Sequence, residues 1–233
     1  MNERLKYPLV ITAICLVAAA ALGYTYALTR DRIKVSKKAD LNDGLKAVLP
    51  PERESIEERA LPGVTTEEPK DSEKLYIARD KSGKALAYAA IGTARGYSST
   101  IETLVGVDLE MRIIGIRILS QKETPGLGER TREVPPKESL WQALFGSKEK
   151  KGAAAETPAV PPFQQQFAGK TENDLVLVKG RARDGEISQL TGATITSWAV
   201  VNSVKDATKK IGEALKAIEA SAQPLKAQDQ GRP

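Results

Sequence analysis

The sequence predicts an α+β protein: a single N-terminal transmembrane helix, then one domain with an antiparallel sheet and a long C-terminal helix. Three observations predict it. Tyr7 to Thr29, "YPLVITAICLVAAAALGYTYALT", contains no charged residue. Alternating runs separated by turn signals fill Leu75 to Leu119, and those after Thr100 are rich in β-branched residues. From Ser197 the apolar residues Val200, Val201, Val204, Ala207, Ile211, Leu215 and Ile218 recur at helical spacing.

The apolar stretch comes first. As a helix it reaches roughly 34 Å, enough for a bilayer core of about 30 Å. Pro8 suits a first helical turn, and Tyr24 and Tyr26 suit an interface. A cleaved signal peptide is the rival reading, with Ala18 to Ala21 as small residues for cleavage. The apolar run continues past those alanines, which favours an anchor in the lipid over residues 7–29. Cys15 sits mid-span and reads as an apolar side chain. Arg30, Arg32, Lys34, Lys37 and Lys38 follow the span, so a simple positive-inside count would keep the C-terminal part in the cytoplasm. That rule governs short loops, and a long domain can cross regardless.

The chain's 233 residues suffice for one ordinary domain with appendages. We expect an anchor over 1–30, a connector over 31–73, a domain over 74–220 and a disordered tail over 221–233. The connector has a short helical pattern, "LNDGLKAVLP", stopped at Pro50-Pro51. The domain opens with two runs around Asp80 to Gly83, a hairpin signal. Strands are expected at Ile101–Val107 and Ile113–Leu119, with a turn near Asp108, and another from Asp174. An insertion of about 131–162 begins with a possible short helix carrying Trp141, Leu144 and Phe145. It then turns Lys-, Ala- and Pro-rich.

Composition excludes several chemistries. There is no histidine, which removes the Ser-His-Asp triad and His-ligated metals. One cysteine cannot form an internal disulfide, an iron–sulfur cluster or a CxxC pair. Redox chemistry, if present, needs an organic cofactor. No catalytic residues and no metal ligands are predicted. The net charge of +5 forms no basic stripe interleaved with aromatics, so no nucleic-acid partner is expected.

Two stretches ask for more than structure. "ETPGLGER", Glu123 to Arg130, follows a strand. Its Pro125, Gly126 and Gly128 allow a tight turn whose amides can face a ligand. "LTGATITS", Leu190 to Ser197, leads into the long helix. Thr196 or Ser197 suits its N-cap. Gly192 and Ala193 clear space around the Thr194 hydroxyl, and the helix end beyond favours a phosphate. A cap plus tight turn explains this stretch; a hydroxyl poised for a phosphate ester explains it too.

"TGATITS" resembles the flavinylation motif of the FMN-binding domain family. "ETPGLG" is similar to that family's second signature, and "QQFAGK", Gln165 to Lys170, to an element between them. The resemblance covers roughly Leu75 to Ile218. With its anchor, the chain is most similar to the G-subunit branch found in Rnf-type ion-translocating electron-transport complexes.

The resemblance implies FMN joined covalently, through its phosphate, to Thr194. Thr191, Gly192, Ala193 and Thr196 surround the attachment point. Glu123, Thr124, Gly126, Leu127 and Gly128 border the isoalloxazine. A flavin transferase, with FAD as donor and a metal ion assisting, makes the bond. The other membrane and redox subunits of the complex are the implied partners. Catalysis then belongs to the complex, which moves electrons between ferredoxin and NAD coupled to Na⁺ or H⁺ transport. The domain is expected on the periplasmic, outer face of the cytoplasmic membrane. The C subunit of the Na⁺-translocating NADH:quinone reductase shares domain and anchor and is the alternative. A cofactor-free anchored structural protein is a third reading. Ser188 stands where the family often has an acidic residue, and Gln121 where it often has histidine.

Overall fold

A computed structural model describes residues 3–65, 69–133, 160–183 and 185–222. The chain divides into two compact units, residues 1–43 and 44–233.

The described residues of the first unit, 3–43, are all helical. Helix α1, Glu3–Val48, runs for 46 residues without a break and ends inside the second unit. It is long and apolar enough to cross a membrane, and its apolar side chains from Leu9 to Leu22 are exposed. Its threonines suit that surrounding. Thr12, Thr25 and Thr29 donate their hydroxyls to the carbonyls of Pro8, Ala21 and Thr25 at 2.8, 2.9 and 2.9 Å. In a bilayer such hydroxyls would need partners within the helix, and these have them. The helix begins at Glu3, so Pro8 lies inside it rather than in its first turn.

The second unit is built on a five-stranded antiparallel sheet in chain order. Its strands are β1 (Ser55–Ala60), β2 (Lys74–Arg79), β3 (Ala85–Arg95), β4 (Thr100–Asp108) and β5 (Ile113–Ser120). Both expected hairpins form. Helix α2, Pro162–Gln165, carries Phe163 into the core beside Phe167, edge to face at 5.8 Å. "QQFAGK" then docks on β5. The Gly169 N–H donates to the Ile113 carbonyl, and the Ile113 N–H to that of Lys170. Strands β6 (Val176–Val178) and β7 (Glu186–Ser188) form a separate parallel pair, so strand pairing is not antiparallel throughout. Helix α3, Thr194–Ala222, closes the domain.

Both faces of β4 are covered at close range. Successive strand residues point to opposite faces. Thr103 pairs its hydroxyl with that of Ser203 on α3 at 2.7 Å. On the other face, a Cβ at Gly106 would collide with the Val48 carbonyl at the end of α1. Gly92 on β3 is pressed equally hard: a Cβ there would strike the Ser203 carbonyl and lie 2.6 Å from the Ala207 nitrogen. Helix α3 therefore rests on strand backbone, and this sets its height above the sheet.

The connector differs from expectation. Its helical pattern is the final part of α1, and residues 55–60 form β1, paired with β2 from Ser55↔Arg79 to Ala60↔Lys74. "SIEERA" lacks an apolar face because an edge strand exposed on both sides needs none. Charge pairs hold it: Arg79 meets Glu57 at 2.6 Å and Lys74 meets Glu58 at 2.8 Å. At the opposite end of the domain, α3 continues to Ala222, two residues into the expected tail. Trp141, Leu144 and Phe145, and the tail from residue 223, lie outside the described residues.

Strand β2 pairs with β3 only as far as Ala90. Beyond it, side chains of α3 replace a strand. Thr93 donates its N–H to Asp206 at 2.9 Å, and Lys210 donates to the Ile91 carbonyl at 3.2 Å. Lys210 and Asp206 also pair with each other at 2.7 Å. Asp206→Ala is expected to lower unfolding stability by about 2 kcal/mol, since it strands a β3 amide and a partly buried ammonium. Chemical denaturation measures it; a loss below about 0.5 kcal/mol would refute the capping role.

Candidate functional site

Two tight turns meet at the N-terminus of α3. In Thr124-Pro125-Gly126-Leu127 the Leu127 N–H donates to the Thr124 carbonyl at 3.2 Å, and Gly126 has φ +72°. In Leu190-Thr191-Gly192-Ala193 the Ala193 N–H donates to the Leu190 carbonyl at 3.0 Å, and Gly192 has φ +80°. Each turn places glycine third, where a type II turn requires positive φ, and the first also has proline second. The turns touch: a Cβ at Gly192 would lie 3.0 Å from a Leu127 methyl.

The second turn runs directly into α3, whose first residue is Thr194. The N-cap expected at Thr196 or Ser197 is therefore displaced, and both residues lie in the first turn. Ser197 is fully buried; its hydroxyl accepts the Leu190 N–H at 3.1 Å and donates to the Ala193 carbonyl at 2.9 Å. It thus ties the turn to the helix. Thr196 is buried and donates its hydroxyl to Glu123 at 2.7 Å. Thr194 is exposed, directly after the buried Ala193.

These pieces enclose a cavity of about 470 Å³, lined by Glu123, Thr124, Leu127, Gly128, Ala193, Thr194, Thr196 and their neighbours Gly192, Ile195 and Tyr97. Of the residues singled out from sequence, Thr191 and Gly126 do not line it; each sits inside one of the two turns. Tyr97 and Ile195 were missed. The signal for Tyr97 was "RGYSST", a glycine and a run of hydroxyls between two strands. Gly128 belongs to the site through its bareness: a Cβ would lie 2.6 Å from the Thr196 hydroxyl and 2.8 Å from the Glu123 Cβ.

Glu123 joins the parts. It is 6% exposed and accepts the N–H groups of Tyr97, Ser98 and Ser99 at 3.2, 3.1 and 3.1 Å, besides the Thr196 hydroxyl. Burial acts to raise its pKa. The bonds from Thr196 and from the Ser99, Ser98 and Tyr97 amides outweigh that and hold the carboxyl below the ordinary glutamate value. A lowered folded pKa gives stability that is complete above the unfolded value and lost as pH falls through the folded one. Glu123→Gln is therefore expected to lose less stability than wild type between neutrality and about pH 3. Thermal unfolding at stepped pH measures this, and parallel acid limbs would contradict it.

The two unusual positions have structural roles. Gln121 accepts the Thr131 hydroxyl at 3.0 Å and braces the segment after the first turn. Ser188 donates its N–H to the Gln166 side chain at 2.7 Å, tying "QQFAGK" to β7.

The site suits a flavin phosphate. The cavity has the size of a small-molecule site and mixes apolar walls with few polar groups. An exposed hydroxyl opens a 29-residue helix whose first-turn amides lack intrahelical acceptors. Fold and site together define a flavin-binding domain behind a membrane-type helix, and residues 96–209 match the FMN-binding domain family. The G subunit of the ion-translocating oxidoreductase complex of Vibrio atlanticus is 30% identical, over 97% of each chain. The G subunit of the Na⁺-translocating ferredoxin:NAD⁺ oxidoreductase complex of Acetobacterium woodii is 28% identical, over 85% of this chain and 87% of its own. The chain belongs to this G-subunit family. The fold is shared with the C subunit of the Na⁺-translocating NADH-quinone reductase of Parabacteroides distasonis, at TM-score 0.50 and 17% identity, over 78% of this chain and 95% of that one.

Proposed function

We propose that this chain is the flavin-carrying subunit of an Rnf-type ferredoxin:NAD oxidoreductase complex coupled to Na⁺ or H⁺ transport. FMN is bound covalently through its phosphate to Thr194. The observation that carries this reading is the placement of Thr194: an exposed hydroxyl at the first residue of a long helix, on the lip of a cavity walled by both signature turns. When bound, FMN supplies reversible electron uptake. The chain's own residues hold and orient it. The helix N-terminus would hold the phosphate, Gly192 and Ala193 would leave the Thr194 hydroxyl unobstructed, and Leu127, Ile195 and Tyr97 of the cavity lining would offer the ring apolar contact.

A flavin transferase makes the bond during maturation. The other complex subunits supply and receive the electrons, so no stand-alone catalysis is expected. Residues 7–29 anchor the chain in the cytoplasmic membrane, with the domain on the outer face. Intact mass of the purified chain tests the central claim: an increase of one FMN less water, mapped to the peptide holding Thr194. An unmodified mass after co-expression with the transferase would reject it. Protease access on spheroplasts tests the topology, and a domain degraded only after lysis would reverse it.

A further inference from the structure

The cavity wall contains a carboxylate with an unusual set of partners. Glu123 accepts three backbone N–H groups from residues 97–99, the Thr196 hydroxyl at 2.7 Å and, more distantly, the Ser99 hydroxyl at 3.5 Å. Those donors come from the β3–β4 loop and the first turn of α3, while Glu123 itself stands just beyond β5. Among the described residues it forms no ion pair. Dipoles hold the charge in place locally, and none of the described cations pairs with it.

The packing is built around this group. A Cβ at Gly96 would lie 2.6 Å from Glu123 Oε1, and one at Gly128 would lie 2.8 Å from the Glu123 Cβ. Bare backbone on both sides lets the chain close on the carboxylate.

We propose that Glu123 sets the redox poise of the flavin, as a fixed negative charge in the cavity wall that disfavours adding electrons to an isoalloxazine seated there. This rests on the FMN reading above. Electron uptake increases negative charge on the ring, so a nearby anion raises the energy of the reduced form relative to the oxidised one. Screening is weak because the carboxylate is buried. Thr196 acts in the opposite sense. Its hydroxyl partly offsets the charge, so removing it leaves the same anion less compensated. The pair thus makes predictions of opposite sign.

The test uses the full-length chain co-expressed with its flavin transferase, with covalent loading checked by fluorescence of the denatured band. Midpoint potential is measured by spectroelectrochemical titration. Glu123→Gln is expected to move it to more positive values, raising the reduced-to-oxidised ratio about tenfold at a fixed ambient potential. Thr196→Val is expected to move it to more negative values. An unchanged potential in loaded Glu123→Gln, or shifts of the same sign in both variants, overturns the proposal. If only one variant loads, the sign of its own shift decides. Loss of flavin from both, with wild type loaded, assigns the pair to assembly and overturns a role in poise. A wild-type chain without covalent flavin overturns the FMN reading itself, and this proposal with it, before any potential is measured.

Discussion

Thr194→Ala, co-expressed with the flavin transferase, is expected to run on a denaturing gel without flavin fluorescence, beside a fluorescent wild-type band. The stability cost is small. Thr194 is exposed at the start of α3, and alanine is the better helix former. Unfolding stability should therefore stay within about 0.5 kcal/mol of wild type. Loss of flavin in a fully folded variant points to the chemistry, since the variant lacks the hydroxyl that a phosphate ester requires and, besides it, only a γ-methyl. Thr194→Ser restores that oxygen and is expected to recover fluorescence. Thr191 lies outside the cavity lining, and Thr191→Ala should keep its flavin. A fluorescent Thr194→Ala band would move the attachment elsewhere and defeat the assignment.

Gly92→Ala is expected to be among the most damaging single methyls at the described glycines, costing about 3 kcal/mol or more. A side chain at Gly92 would meet the Ser203 carbonyl and the Ala207 nitrogen, both backbone atoms of α3. Backbone cannot rotate away as a flexible side chain can. The whole helix must lift, and with it the buried Val200, Val204 and Ile211. Against a typical total of about 5–15 kcal/mol, that loss is large. Because Thr194 opens the same helix, flavin loading should fall as well. Gly212→Ala provides the contrast. It lies in α3 with its nearest neighbour, Met111 Cε, at 4.0 Å. Filling that position should stabilise the helix by up to about 1 kcal/mol. Denaturant midpoints of the two variants measure both effects; equal signs would reject the account.

Much of this was legible in the sequence, and for local reasons. The hairpins announce themselves through alternation and turn residues, α3 through its apolar spacing, and residues 7–29 of α1 through their lack of charge. Both signature turns are readable because glycine in the third position has a specific backbone purpose. What sequence hid depends on partners distant in the chain. Strand β1 has no apolar face, since its register comes from β2 and from ion pairs such as Arg79 with Glu57. Thr196 and Ser197 look like caps; only the fold reveals that one bonds Glu123, 73 residues away, and the other the Leu190 amide. Tyr97 reaches the cavity because a β-hairpin loop folds over Glu123, a contact no spacing rule anticipates.

The far end of β3 has a consequence for how this chain fails. Ile91 and Thr93 present the carbonyl and amide with which a neighbouring strand would bond, and Asp206 and Lys210 occupy them. If α3 detaches, that strand becomes an open template beside a core rich in isoleucine and valine. A chain truncated before α3 should therefore self-associate through β-pairing rather than persist as a soluble unfolded monomer. The helix that opens the candidate site would then also be the domain's guard against aggregation.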